Sequence, residues 1–583
     1  MLTEGGNAVK GIGASPGIAI SKAFILKDVV IEINTAKIEN VHDECARLKD
    51  AIDNARLQIN NIKQKAIEEL GEEEAKIFDA HLMILDDPEY TGQIEQVINS
   101  EKITAENAAN QVTEQFVMIF GMMEDEYMKE RAADIKDVGS RLIRNILGVQ
   151  TQNLSEISED VIIIAKDLTP SDTAQMNKQR VKGFATDIGG RTSHTAIMAR
   201  SLEIPAILGL KNITSSANDG DIIIVDGMTG EVIINPEEEV LKSYQDKKAE
   251  YEKFRKELEE LKELPAETKD GHVVELVGNI GTPKDIEGVT RNGGQGVGLY
   301  RTEFLYMDSD EMPSEEKQFK AYKEVLEGMK GMPIIIRTLD IGGDKKLPYL
   351  QLEEEMNPFL GLRAVRLCFV EKDLFKTQLR AILRASAFGK ALIMFPMISN
   401  VDEVRQAKVI LDECRKELDA ENIAYDKDLK VGVMVEIPSA AVCADIIAKE
   451  VDFFSIGTND LCQYTLAVDR MNENVSYLYQ PFNPAILRLV HNVIKASHQH
   501  EGKFTGMCGE MAGEPLAALI LLGLGLDEFS MSASSIPQIK KIIRSVTLKE
   551  AQEIAQKALE LATADEVMAM VTEELKKLNI TII

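Results

Sequence analysis

Tryptophan is absent from the 583 residues, and aromatic side chains make up only 5% of the chain. Beside a 44% hydrophobic share, that composition fits an ordinary soluble protein. No apolar run approaches the length of a bilayer span, which excludes a helical membrane protein. The start MLTEGGNAVKG lacks the charged and apolar regions of a signal peptide, so a cytoplasmic protein is expected. Basic residues are outnumbered, 66 against 96 acidic, and the net charge of −30 excludes nucleic acid as the main partner. The same charge favours a partner with a basic face, or serves solubility alone. Six cysteines (Cys45, Cys368, Cys414, Cys443, Cys462 and Cys508) show no metal-ligand or disulfide spacing. Most are expected reduced and buried, with Cys443 a packing residue. The run Gly293-Gly294-Gln295-Gly296-Val297-Gly298 is not G-x-G-x-x-G and precedes a strand, so a dinucleotide fold is rejected.

What is present falls into segments. Residues 1–30 alternate glycine with short β-like runs, too small a piece to fold alone. Residues 31–147 read as helices: Leu48, Ile52, Ala55, Ile59, Ile62 and Ala66 mark one face, and Met128, Ile135, Leu142 and Ile146 another. An all-helical subdomain is expected there. Strand signals return at Val161–Ala165, Gly183–Ala185 and Asp221–Gly227. These signals permit residues 1–30 and 148–235 to form one small β/α domain around an inserted helical subdomain, an arrangement that the family resemblance described below implies. Residues 236–264, with Tyr251, Phe254, Leu258 and Leu261 on one seam, read as a long linker helix. A short coiled coil is the alternative.

Beyond Pro265, eight apolar runs alternate with helix-length segments: Val273–Ile280, Gly296–Tyr300, Pro333–Arg337, Ala391–Pro396, Leu429–Glu436, Asp452–Gly457, Lys503–Cys508 and Glu528–Met531. Eight such units over residues 265–583 predict a closed (β/α)8 TIM barrel, with a doubly wound sheet as runner-up. Active sites of these barrels lie at the C-terminal ends of the strands. Those ends carry Arg301, Arg337, Glu436, Asn459, Asp460 and Cys508, with Arg470 close behind. Guanidinium groups suit a small anion bearing phosphate and carboxylate. Glu436 and Asp460 supply two hard oxygens of the kind Mg2+ takes, leaving positions for substrate and water. Cys508, between Gly506 and Gly509, is placed to give a proton to an enolate.

One stretch lies outside the barrel. Gly189-Gly190-Arg191-Thr192-Ser193-His194 leads into the helix-like HTAIMARSL. The glycines allow a tight turn, and His194 stands where a helix N-terminus welcomes an anion. A histidine so placed could carry a phosphoryl group, although a lone histidine in such a place is more often a cap or packing residue.

GGRTSHTAIMAR resembles the phosphohistidine signature of the phosphoenolpyruvate-utilising enzymes. DLTPSDTAQ, LYRTEFL, IIRTLDIGGDK, NPFLGLRAVR, VGVMVEIPSA, FFSIGTNDLCQYTLAVDR and GMCGEMAG resemble the family's Enzyme I branch, in its order along nearly the whole chain. The resemblance implies that His194 takes phosphorus from phosphoenolpyruvate on Nε2 and hands it to the phosphocarrier protein HPr, the first step of sugar uptake and phosphorylation. It implies that Arg301, Arg337, Asn459, Asp460 and Arg470 bind substrate, with Arg363 and Lys345 as secondary phosphate contacts. Glu436 and Asp460 would hold Mg2+, and Cys508 would be the proton donor. It further implies a swing of the phosphohistidine domain, HPr docking on the helical subdomain, and a homodimer through the barrel. The acidic run Glu68, Glu69, Glu72, Glu73 and Glu74 is the docking candidate; a solvated charged turn is the alternative. His81 is expected as a packed helix histidine. A metal-dependent lyase or aldolase leaves His194 unexplained, and a regulatory protein with a dead site is the third class.

Overall fold

The computed structural model describes residues 8–27, 33–70, 75–122, 126–149, 154, 157–177, 179–190, 194–307, 309, 311–343, 345, 347, 349–350, 353 and 355–582. The chain divides into two compact units, Met1–Phe254 and Arg255–Ile583.

The first unit is built on an eight-stranded sheet. Its strands are β1 (Ala8–Lys10), β2 (Ile12–Ser15), β3 (Ile18–Ile25), β4 (Val161–Ala165), β5 (Val181–Thr186), β6 (Ala206–Leu208), β7 (Ile222–Asp226) and β8 (Glu231–Ile234). They lie in the order β1-β8-β7-β3-β4-β5-β6-β2. β3 to β6 run parallel at the centre, while β7, β8, β1 and β2 join antiparallel at the flanks. The N-terminal strands thus find their partners about 140 to 220 residues later in the chain, as their small size demands. β4, reading VIIIA, is buried at every position, the pattern of a parallel strand covered on both faces.

Among the described residues, five α-helices stand between β3 and β4: α1 (Val41–Leu70), α2 (Lys76–Asp86), α3 (Pro88–Glu101), α4 (Ala105–Gly121) and α5 (Glu126–Leu147). The α1 stripe is buried at Leu48, Ala55, Ile59, Ile62 and Ala66. α3 starts where Asp87 accepts a hydrogen bond from the Glu89 amide at 2.8 Å and Pro88 fills the first helical position. α4 and α5 approach closely at Gly139, where an added methyl would sit 2.3 Å from Thr113 Cγ2.

A 23-residue helix, Glu238–Glu260, follows β8, and the division between the units falls inside it. Val240, Leu241 and Tyr244 pack on Ile18, Ile224 and Ile233 of the first sheet. In the second unit Glu257 pairs with Lys541 at 2.6 Å.

The second unit is a closed barrel of eight parallel strands: β9 (Glu275–Ile280), β10 (Val297–Arg301), β11 (Ile334–Arg337), β12 (Ala391–Phe395), β13 (Lys430–Val435), β14 (Phe453–Ile456), β15 (Phe504–Met507) and β16 (Glu528–Met531). β16 pairs back onto β9. Side chains alternate across each strand. Ile335 therefore joins Leu299, Leu392, Met394, Met434 and Phe453 inside the barrel, whereas Ile334 and Ile336 pack outward with the helices. Among the described residues no helix is long and apolar enough to cross a membrane.

All six cysteines are free thiols, and Cys368, Cys414, Cys462 and Cys508 are buried. Cys443 corrects the expectation of a packing residue. It is exposed at the break between the helices Pro438–Val442 and Ala444–Ile447, where the turn faces it outward.

Candidate active site at the barrel mouth

The C-terminal strand ends surround a cavity of about 270 Å3. Arg301 closes β10 and Arg337 closes β11; Glu436 follows β13, Asn459 and Asp460 follow β14, and Cys508 follows β15. These six line the cavity together with Lys345, Arg363 and Arg470. All nine barrel residues singled out from the sequence therefore face one space.

Two carboxylates that sequence reasoning assigned no role organise the site. Glu303 accepts from Arg337 Nη2 at 2.5 Å and from Lys345 Nζ at 2.7 Å. Asp340 takes Arg363 in a two-point grip, Nε at 2.9 Å and Nη2 at 3.1 Å, and lies 3.1 Å from Arg337 Nη1. Both carboxylates are buried, which opposes their ionisation, yet the surrounding cations hold both below the usual carboxylate range. Their signal lay in the motifs themselves, a carboxylate two or three residues beyond each strand-end arginine.

Arg363 also reaches Asp460 Oδ2 at 2.8 Å. Asn459 is fixed by Glu510, donating to its Oε1 at 3.3 Å and accepting from its amide at 3.1 Å. Among the described residues no carboxylate lies within ion-pair distance of Arg301 or Arg470. The cavity thus offers two guanidinium charges that no described carboxylate pairs with. A small anion can do so.

Glu436 accepts a 2.6 Å hydrogen bond from the Met397 amide. Burial, then the nearby Asp460 and Asp340 charges, push its carboxyl up to about 8. Asp460 Oδ1 is buried with no hydrogen-bond partner. A carboxylate held against its charge beside an orphaned carboxylate oxygen fits a divalent cation, whose charge would relieve both. Among the described residues no three His, Cys, Asp or Glu side chains cluster as a metal site. Cys508 lies at the cavity wall, and burial pushes its thiol up to about 11. It is a neutral S–H at physiological pH.

In the first unit, Gly189 adopts φ +121°, a conformation that favours glycine, and the helix His194–Leu202 begins five residues later. Thr195 anchors that helix, donating to the Leu168 carbonyl at 2.8 Å, while Ala196 and Ala199 are buried against the sheet. Arg191, Thr192, Ser193 and the His194 side chain lie outside the described residues. So do Glu72, Glu73, Glu74 and the side chains of Glu68 and Glu69. His81 is fully buried in α2, with Nε2 3.3 Å from Asp134 of α5, as a packed helix histidine should be.

A barrel whose mouth gathers four arginines and a lysine, a carboxylate pair fit for a metal and a protonated thiol defines an enzyme for small, multiply charged anions. Residues 255–548 match the PEP-binding domain of the PEP-utilising enzymes, residues 10–131 the N-terminal domain and residues 157–230 the mobile domain. The chain belongs to the PEP-utilising enzyme family, whose chemistry requires a divalent metal. It is 55% identical to the phosphoenolpyruvate-protein phosphotransferase of Staphylococcus carnosus over 97% of this chain and 99% of that one. The protein of the same name from Geobacillus stearothermophilus is 56% identical over the same shares. A solution structure of an Enzyme I protein is 53% identical and covers 42% of this chain and 99% of its own, with a TM-score of 0.38.

Proposed function

We propose that this chain is a cytoplasmic phosphoenolpyruvate-protein phosphotransferase. It moves the phosphoryl group of phosphoenolpyruvate to Nε2 of His194, then to a histidine of HPr, and releases pyruvate. The observation that carries this reading is the pair of guanidiniums, Arg301 and Arg470, with no described carboxylate in ion-pair distance, facing the same cavity as a thiol that burial keeps protonated. Full-length relatives bearing that activity in their names support it.

The roles follow from chemistry. Arg301, Arg337, Asn459 and Arg470 bind the phosphate and carboxylate of the substrate, with Arg363 and Lys345 adding phosphate contacts. Glu436 and Asp460 would hold Mg2+, which supplies charge neutralisation at the phosphate and enolate oxygens. The His194 lone pair forms the new N–P bond as the bond from phosphorus to the enol oxygen breaks. Electrons left on the enolate take the Cys508 proton at carbon, giving pyruvate and a thiolate that solvent reprotonates. Residues 1–30 and 148–235 form the phosphohistidine domain, 31–147 the HPr-binding subdomain, 236–264 the linker, and 265–583 the substrate barrel through which two copies associate.

Pyruvate release from phosphoenolpyruvate by a His194→Ala variant, with HPr and Mg2+ present, tests the reading. The variant should release none above background. Continued turnover would mark a lyase or hydrolase that has no use for His194.

A further inference from the structure

Interiors of eight-stranded parallel barrels are ordinarily filled by branched apolar side chains. Here one sector of the interior is polar. Side chains alternate along the strands, and Phe453 and Cys508 stand inside with Leu299 and Met434, while Phe454, Met507 and Phe529 pack outward. Ser455 of β14, Gly506 of β15 and Glu528 of β16 therefore face inward. They stand side by side, Ser455 in register with Gly506 and Gly506 with Glu528. Glu528 reaches into the room that Gly506 leaves empty: a methyl added there would lie 2.7 Å from Glu528 Oε1. That oxygen and Ser455 Oγ are both buried without a hydrogen-bond partner. Burial, then the charges of Glu275 and Asp527, push the Glu528 carboxyl up to about 8, so it holds its proton at neutral pH.

We propose that Glu528 resupplies the proton that Cys508 gives up, with the Ser455 hydroxyl as the bridge. This rests on the reading of Cys508 as the proton donor to the enolate. The Cys508 backbone is fixed, its carbonyl accepting from Asn279 Nδ2 at 3.1 Å while Asn279 Oδ1 accepts from Ser530 Oγ at 2.6 Å. Burial opposes ionisation of the thiol, and the neighbouring Ser455 hydroxyl, short of full hydrogen-bond geometry, eases it. Once the thiolate has formed, Ser455 Oγ gives it a proton and takes the Glu528 carboxyl proton in turn. The carboxylate left behind recovers a proton from water at the N-terminal end of the strands, where its register partner Glu275 is exposed. Asp527 at that end is occupied, accepting from the Thr505 amide at 2.8 Å and lying 2.8 Å from His498 Nε2. Glu528 touches no substrate; it acts through Cys508, from the side of the barrel away from the mouth.

Isotope trapping tests the relay. The full chain, equilibrated in D2O, is diluted into H2O; phosphoenolpyruvate and Mg2+ follow after a set delay. Deuterium in the first-turnover pyruvate is then read by mass spectrometry. Its decay with delay measures how fast the thiol trades its deuteron with solvent. Glu528→Gln and Ser455→Ala should each hold the deuteron about a hundredfold longer than wild type, the low end of what a positioned proton donor contributes. A merely structural role would loosen the barrel and shorten the retention. Variants folded by circular dichroism that lose deuterium as fast as wild type, or faster, would overturn the proposal; should one variant not fold, the other decides. Adding Cys508→Ala to Glu528→Gln isolates the parent reading. Pyruvate that then carries no trapped deuterium leaves Cys508 as the donor and the relay as its supply. Pyruvate that still carries it would sink the Cys508 assignment, and the relay with it.

Discussion

The Cys508 thiol faces the barrel cavity just beyond β15, where burial holds its pKa up at about 11. Raising a thiol's pKa favours the neutral form, so below about pH 10 the thiol stays protonated, as the proposed proton donor must. Removing it in Cys508→Ala should slow pyruvate formation by roughly 10²-fold or more, the usual weight of a positioned general acid. Transfer from already phosphorylated enzyme to HPr should be untouched. Rapid-quench measurement of the two half-reactions checks both statements, and equal slowing of both would refute the assignment. The alkaline limb of the pyruvate-forming rate should likewise show no loss from this group below about pH 10. Residue identity was legible here from a single strand-end motif, GMCGEMAG. What could not be read was the protonation state, because burial is a property of the closed barrel. Glu303 and Asp340 show the same limit. Both stood in the quoted motifs, but a carboxylate after a strand gives no sign of which cation it will meet across the mouth.

At the scale of elements, the loops after β10 and β11 are tied together from behind by one buried glutamine. Gln378, in the helix Lys372–Ser386, accepts from the Leu339 amide at 2.8 Å and donates to Thr302 Oγ1 at 3.0 Å and to the Tyr322 hydroxyl at 3.2 Å. Thr302 in turn donates to the Arg337 carbonyl at 2.8 Å. Neighbouring residues on those loops, Glu303 and Asp340, hold Arg337, Lys345 and Arg363. Gln378→Leu leaves buried polar groups unpaired, at a cost of about 1–3 kcal/mol. It should raise the KM for phosphoenolpyruvate roughly tenfold while leaving phosphoryl transfer from His194 to HPr unchanged. Steady-state and single-turnover kinetics on the variant decide it, and an unaltered KM would remove Gln378 from the site's support. The strands themselves were readable because apolar runs such as IIIR and FFSI are bounded by charged or glycine-rich ends. β6 and β8 escaped notice, being three and four residues long and held by their neighbours in the sheet rather than by any pattern of their own.

At the scale of the whole molecule, the residues proposed for the two half-reactions fall in separate units. His194 belongs to Met1–Phe254, and the barrel-mouth cavity to Arg255–Ile583. That separation makes each half-reaction a control for the other. If HPr docks at the acidic run, neutralising Glu72 and Glu73 together should raise its KM several-fold, given about 1 kcal/mol or less per exposed charge. Autophosphorylation should not change, and unaltered HPr kinetics would remove the docking assignment. The discontinuous sheet of the first unit was implied by family motifs rather than by periodicity, since no local pattern says that residues 8–25 will pair with strands beyond residue 160. The barrel needed no such help: eight apolar runs with helix-length spacers already closed the count. The most direct measurement is of the intermediate itself. Intact protein incubated with Mg2+ and phosphoenolpyruvate carrying labelled phosphorus should gain one acid-labile, base-stable phosphate per chain, mapped to His194 and discharged by HPr. Turnover of phosphoenolpyruvate with no label on that histidine would contradict the account.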